Sequence, residues 1–344
     1  MRSLRQLLVN DDPIWPHRRF LARNEADVLP CIDGVRTLNE LAAISGHSLD
    51  ACIKIVWTAY VEGFILIEGT TRKMDGGRVM EPVLDMIYSE HDSEQRKMDV
   101  FLPDGNANGV GLFFIHGGGW RAGNRTSWHS VAEHFRALGY TCVSVGYRLV
   151  PNWTYPAPVE DVRLAMSFFL ENAERFGFDP AKTAVLGSSA GGHLSAMLST
   201  ISADDDLGIT SEVRIRATKP KAAILYCPAT NLHLEQNFER LLPSLEGLIA
   251  RTGAEAEELY REASPIDRID GSEPTTLLIH GDADETIPVE HSIQYHEKLL
   301  RHGVASELVV LPGVPHGFGY GVKTEAQLAS LKVIEAFLAK TFAK

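Results

Sequence analysis

The chain carries few cysteines for its 344 residues. The four present, Cys31, Cys52, Cys142 and Cys227, match neither a C-x-x-C redox pair nor the spacing of a zinc site. Cys142 and Cys227 fall in apolar strand-like runs and are expected as buried thiols. None of the thirteen histidines belongs to an H-E-x-x-H or similar cluster, so no metal is implied, and no motif calls for another cofactor. A Lys/Arg-rich run is also missing. With a formal net charge of −12, that argues against nucleic acid and anionic membrane as partners. The N-terminus lacks the apolar stretch of a signal peptide, and no run is long enough to span a bilayer. The expected compartment is therefore a reducing cytoplasm. What remains is a globular composition, 44% hydrophobic, suited to one large domain beside a small one.

From residue 81 to 344 the pattern alternates strand and helix. Strands are expected at Leu84–Ser89, Met98–Leu102, Gly111–His116, Thr141–Tyr147, Thr183–Gly187, Ala222–Cys227, Thr275–His280 and Glu307–Leu311. Several are short unbroken apolar runs, as strands covered on both faces should be. Helices are expected at Ser127–Leu138, Val159–Phe176, Gly192–Ile201, Glu290–Arg301 and Glu325–Phe342. The expected class is α/β, a mostly parallel eight-stranded sheet with helices on both faces, so ligands should bind beyond the carboxyl ends of the strands. Residues 230–270 interrupt the alternation with amphipathic segments at Leu234–Leu242, Leu245–Arg251 and Ala254–Glu262, a cap-like insertion.

Residues 1–80 form a separate unit. Thr37 and Glu40 are spaced as a capping box, a longer helical run begins near Ser48, Gly63 ends it, and Phe64–Glu68 reads as a strand. Helix, helix, strand outlines a small winged-helix-like domain, or else a cap folded over its neighbour. Positive and negative residues balance there, so a DNA-binding role lacks its electrostatic footprint.

Four loops carry chemistry. Gly187-Ser188-Ser189-Ala190-Gly191 follows an apolar strand and opens a helix, the pattern of a nucleophile elbow that projects Ser189 beside a helix N-terminus. Upstream, Phe113-Phe114-Ile115 runs into His116-Gly117-Gly118-Gly119-Trp120. Glycine backbones can turn N–H groups toward a ligand at little steric cost, and with the N–H of Ala190 they would form an oxyanion hole. A phosphate-binding loop would need a Lys that is missing here. A third strand ends in a loop with Asp282, Asp284 and Glu285, which the residues alone do not separate. A fourth ends at Pro315-His316-Gly317. Serine, acid and histidine thus follow in the chain order of α/β-hydrolases.

His116-Gly117-Gly118-Gly119-Trp120, Tyr147-Arg148-Leu149, Pro156-Ala157-Pro158-Val159-Glu160-Asp161-Val162 and Gly187-Ser188-Ser189-Ala190-Gly191-Gly192-His193 together resemble the α/β-hydrolase superfamily. The likeness is to its hormone-sensitive-lipase-like esterases, including the feruloyl and acetyl-xylan esterase-like branch, and spans residues 82 to 344. The resemblance implies a serine carboxylesterase that needs no cofactor and takes a small-molecule ester. It selects Asp284 as the acid, through the pattern Gly-x-x-Asp-x-x-Val-Pro with Ile287 in the Val place. The implied triad is Ser189, Asp284 and His316, and the implied oxyanion donors are the N–H groups of Gly117, Gly118 and Ala190. Trp120, Trp153 and Tyr155 are candidates to touch substrate; bracing of the glycine loop is the favoured reading for Trp120, and plugging of a surface loop is the equal alternative for Trp153 and Tyr155. His116 and His193 are expected to support the site by hydrogen bonding, and Arg148 with Asp161 to form a structural ion pair. The N-terminal unit weakly resembles a peptide-binding winged helix, which would add a peptide-tailoring esterase to the readings. An amidase on the same triad and a non-catalytic binding protein complete the alternatives; oligomeric state is open.

Overall fold

The structure is a computed structural model, and it describes residues 7–9, 65–67, 81–89, 91, 94–233 and 239–343. The chain divides into two compact units, Met1–Gly77 and Arg78–Lys344. In the first, β1 (Leu7–Val9) pairs antiparallel with β2 (Ile65–Ile67), which falls within the expected strand at Phe64–Glu68. The two helices expected there lie outside the described residues.

The second unit begins with β3 (Val83–Ile87), β4 (Lys97–Phe101) and β5 (Gly111–Ile115), followed by α1 (His129–Arg136) and β6 (Thr141–Val145). Next come α2 (Ala157–Glu171), α3 (Ala173–Phe176), β7 (Thr183–Ser188), α4 (Ala190–Thr200) and β8 (Ala222–Tyr226). The insertion contributes α5 (Leu242–Ile249) and α6 (Gly253–Glu262). The chain closes with β9 (Thr275–Gly281), α7 (Glu290–Arg301), β10 (Ser306–Leu311) and α8 (Glu325–Thr341). Of the first helix expected in the insertion, residues 234–238 lie outside the described set and Leu242 begins α5.

Eight strands form one sheet in the order β10-β9-β8-β7-β5-β6-β4-β3. The six from β10 to β6 are mutually parallel, and β4 runs against both of its neighbours. This is the α/β-hydrolase architecture. Period-two alternation distributes each central strand between two cores. Phe113 and Ile115 of β5 join Val185, Leu225 and Leu278 on one face, under α2, α4 and α7. Leu112 and Phe114 join Leu186, Ile224 and Ile279 on the other, under α1 and α8. Both faces are dry, which is why these strands read as unbroken apolar runs. Cys142 and Cys227 are free, buried thiols. Among the described residues no helix is long and apolar enough to cross a membrane.

Candidate active site

The carboxyl ends of β5, β7, β8, β9 and β10 lie side by side, so the loops that follow them share one rim. Ser189 stands between β7 and α4 with φ 58° and ψ −121°. That conformation is costly for a residue with a Cβ and is kept only where the surroundings enforce it. Enforcement comes from close packing. A Cβ on Gly191 would lie 2.1 Å from the Ile115 carbonyl oxygen. The Ser189 N–H donates to the Tyr226 carbonyl at 2.9 Å, and its own carbonyl accepts the His193 N–H.

His316, from the loop after β10, has Nε2 2.9 Å from Ser189 Oγ and Nδ1 2.6 Å from Asp284 Oδ2. Asp284 Oδ1 accepts the N–H groups of Thr286 and Ile287 at 2.8 and 2.9 Å. Burial alone would raise the Asp284 carboxyl, but hydrogen bonds from His280 and His316 outweigh it and hold the group well below the usual carboxylate range. The structure therefore brings Ser189, His316 and Asp284 together and keeps the acid ionised. The other two carboxylates are used elsewhere. Asp282 accepts the Gly313 N–H at 2.6 Å, and Glu285 pairs with Arg240 at the surface.

His280 and Cys227 were not singled out as partners of the acid. His280 is fully buried, with Nδ1 2.7 Å from Ser292 Oγ and Nε2 3.1 Å from the Ile287 carbonyl and 3.3 Å from Asp284 Oδ2. The thiol of Cys227 lies against the same carboxylate, and burial with the neighbouring Asp284 charge pushes its pKa far up, so it stays protonated. Cys227, Asp284 and His316 bring ligand atoms within 4.8 Å of one another. Mutual hydrogen bonding accounts for that cluster without an ion.

The glycine loop departs from expectation at Gly117. Its N–H donates to the Tyr320 hydroxyl at 2.6 Å, so it is spent within the protein. The next peptide is oriented by His116, whose Nδ1 lies 2.8 Å from the Gly117 carbonyl. Because a trans peptide holds C=O and N–H antiparallel, this bond turns the Gly118 N–H the opposite way. The Gly118 carbonyl accepts Arg121 and Ala122 N–H groups, which orients the Gly119 N–H by the same rule. Gly118 needs its missing side chain: φ is +106° and a Cβ would lie 2.2 Å from the Ala122 carbonyl oxygen.

The three aromatic candidates each have partners within the protein. Trp120 is fully buried, and its indole N–H donates to His193 Nδ1 at 3.2 Å, so it braces the loop and does not wall the cleft. His193 Nε2 in turn donates to the Ala263 carbonyl at 2.8 Å. Trp153 is half-buried beneath the Arg148 guanidinium, 4.6 Å from its ring centre. Tyr155 donates its hydroxyl to Glu262 of α6 and its N–H to Leu248 of α5, tying the loop after β6 to the insertion. Arg148 and Asp161 form the expected ion pair at 2.9 Å. Arg121 reaches the Pro243 carbonyl at 2.6 Å, so the insertion also grips the glycine loop. A cavity of about 800 Å³ in the insertion is lined by His233, Glu246, Arg251, Glu257 and Tyr260 among others, and not by Ser189, Asp284 or His316.

Known proteins are similar to this chain in sequence and in fold. Esterase LipC of Mycobacterium tuberculosis is 33% identical over 220 residues, covering 60% of this chain and 52% of its own length. The ethyl acetate hydrolase of Pseudomonas putida is 27% identical over 283 residues, covering 76% and 84%. The chain spans between half and two thirds of the length of the mycobacterial relatives it matches. The structure of the thermophilic esterase Est2 from Thermogutta terrifontis superposes with a TM-score of 0.63 at 26% identity, over 79% of this chain and 96% of that one. The BD-FAE family model matches residues 98–299, from β4 through α7 and across the whole serine elbow. With that match covering more than half of its length, the chain belongs to the BD-FAE family of α/β-hydrolases.

Proposed function

We propose that the chain is a serine carboxylesterase working through an acyl-enzyme. One observation carries the reading: a single imidazole, His316, lies within hydrogen-bond distance of both the Ser189 hydroxyl and the Asp284 carboxylate. His316 Nε2 takes the hydroxyl proton as Ser189 Oγ attacks the ester carbonyl. Asp284 fixes the tautomer and stabilises the cation that forms. His316 then gives its proton to the leaving alcohol, and water repeats the sequence to release the acid. Gly118, Gly119 and Ala190 are the proposed donors to the tetrahedral oxyanion. Gly119 takes the place expected for Gly117, whose N–H is held by Tyr320. Ala190 is the first residue of α4, where the helix N-terminus favours developing negative charge.

Small esters are the proposed substrates, consistent with relatives named as esterases and as an ethyl acetate hydrolase. The test is hydrolysis of p-nitrophenyl acetate and butyrate. Ser189→Ala is expected to lower kcat by a factor on the order of 10⁶. Near-native turnover by that variant refutes the assignment. Matched anilides separate an esterase from an amidase by the ratio of kcat/KM. A peptide ester, tailored with help from residues 1–80, is the second reading; candidate peptides that bind the full chain and are turned over faster than p-nitrophenyl esters would favour it.

A further inference from the structure

Tyr320 lies four residues beyond His316 and is half-buried. Its ring packs on Trp128, 4.6 Å between centres, and its carbonyl accepts the Gln327 side chain from the start of α8. The phenol oxygen is thereby fixed at the base of the glycine loop, where it accepts the Gly117 N–H at 2.6 Å and sits against the Ser188 hydroxyl. At the other end of the same peptide unit, the His116 carbonyl accepts the Tyr147 hydroxyl at 3.0 Å. The unit joining His116 and Gly117 is thus clamped by two phenols, one from the loop after β6 and one from the loop that carries the base. The clamp is close to the chemistry. A Cβ placed on Gly117 would lie 2.7 Å from the Tyr320 hydroxyl and 3.1 Å from Ser189 Cβ. Burial holds the phenol above its ordinary pKa, so it stays neutral and accepts without adding charge beside the nucleophile.

We infer that Tyr320 is a positioning residue: its hydroxyl locks the 116–117 peptide so that the following N–H groups, at Gly118 and Gly119, face the oxyanion, and it ties the base-bearing loop to the donor-bearing loop. The inference rests on the esterase reading above. Without the phenol oxygen, the Gly117 N–H has no partner and the peptide keeps only the Tyr147 bond at its other end. The downstream donors then lose aim in the transition state, while ground-state binding, which needs no oxyanion, is kept. Loss of one oxyanion donor costs about 10²–10³ in kcat, and loss of aim should cost less.

The experiment compares Tyr320→Phe with active wild-type enzyme, both normalised to fluorophosphonate-titrated sites. Phenylalanine keeps the ring on Trp128, so the fold should survive. The expected result is a kcat lowered about 10–100-fold with KM within about twofold. Affinity for phenylboronic acid, which forms a tetrahedral adduct on serine, should fall by a similar factor, and affinity for the product acid should be unchanged. A kcat and a boronate affinity both within twofold of wild type overturn the inference. So does a loss shared equally by kcat, KM and product affinity, which marks a merely structural prop. Should Tyr320→Phe fail to fold, 3,5-difluorotyrosine at position 320 keeps the shape with a more acidic phenol. It should add an alkaline decline in kcat that wild type lacks, because ionisation sets negative charge beside the donors; a pH profile identical to wild type overturns the inference. An inactive wild type would instead sink the esterase reading, which Ser189→Ala tests separately.

Discussion

Two buried histidines make the stability of the hydrolase unit steeply sensitive to acid. His193 is closed off between the Trp120 indole and the Ala263 carbonyl, and burial lowers its pKa from 6.5 to about 4, only partly offset by the bond to Ala263. His116 is stacked on Tyr147 at 4.3 Å, and burial, partly offset by the bond to the Gly117 carbonyl and aided by the nearby Arg125 charge, brings it to about 4 as well. Both are neutral in the fold. Above pH 6.5 neither state takes up a proton at these sites and stability is at its plateau. As pH falls from 6.5 to 4 the unfolded chain binds protons that the folded chain refuses, so stability is lost downward through that window and levels off below it. Each histidine contributes a slope of up to about 1.4 kcal/mol per pH unit, or about 3 kcal/mol across the window. The pair removes about 6 kcal/mol, comparable with the whole stability of a typical domain, about 5–15 kcal/mol. The depressed carboxylate of Asp284 adds its loss only below the ordinary aspartate range, outside this window. Urea unfolding followed by near-ultraviolet circular dichroism from pH 7.5 to 4.5 measures the slope. His193→Gln keeps a donor for Ala263 and removes one titration, so its slope near pH 5 should be about half that of wild type. An unchanged slope in this variant would refute the reasoning.

Two further outcomes follow from the geometry of the rim. Asp284→Asn should lower kcat about 10⁴-fold, because an amide can donate to His316 Nδ1 and so stabilise the wrong tautomer; turnover of p-nitrophenyl butyrate within tenfold of wild type would dismiss Asp284 as the acid. Gly191→Ala drives a methyl to 2.1 Å from a backbone oxygen of β5, which no rotamer can relieve. It should cost about 3 kcal/mol or more, lowering the thermal midpoint by several degrees, and an unshifted midpoint would show that α4 can move off the sheet.

The sheet and the three loops of the proposed triad were legible because their information is local. A parallel strand buried on both faces must be apolar along its length, so Thr183–Ser188 and Thr275–Gly281 announce themselves, and the residues that interrupt each run stand at the rim. The resemblance was needed to choose among Asp282, Asp284 and Glu285. Their neighbours in sequence are alike, and the difference lies in what each meets: Gly313, His316 and Arg240 respectively. In the sequence His280 stands at a strand end and competes with His316 as base, but a carboxylate two or four positions away faces it awkwardly and the family pattern favours His316. The chain turns at Gly281 and brings the imidazole to 3.3 Å.

The roles of Gly117 and Trp120 are not written in the local sequence, for a related reason. Composition says that a glycine loop can present donors, but not which of its N–H groups is left over. That is decided by acceptors elsewhere in the chain: Tyr320 takes one donor, and the Gly117 carbonyl, held by His116, sets the direction of the next. The indole of Trp120 could equally have faced the cleft, and His193 of α4 draws it inward. An apolar residue needs only to leave water, which many neighbours satisfy, so periodicity reveals it. A buried N–H needs one acceptor in one place, and partners 203 and 73 residues apart leave no periodic trace. The proposed catalytic side chains are therefore easier to find than the proposed peptide donors, and the residues that would aim those donors are where sequence patterns carry least.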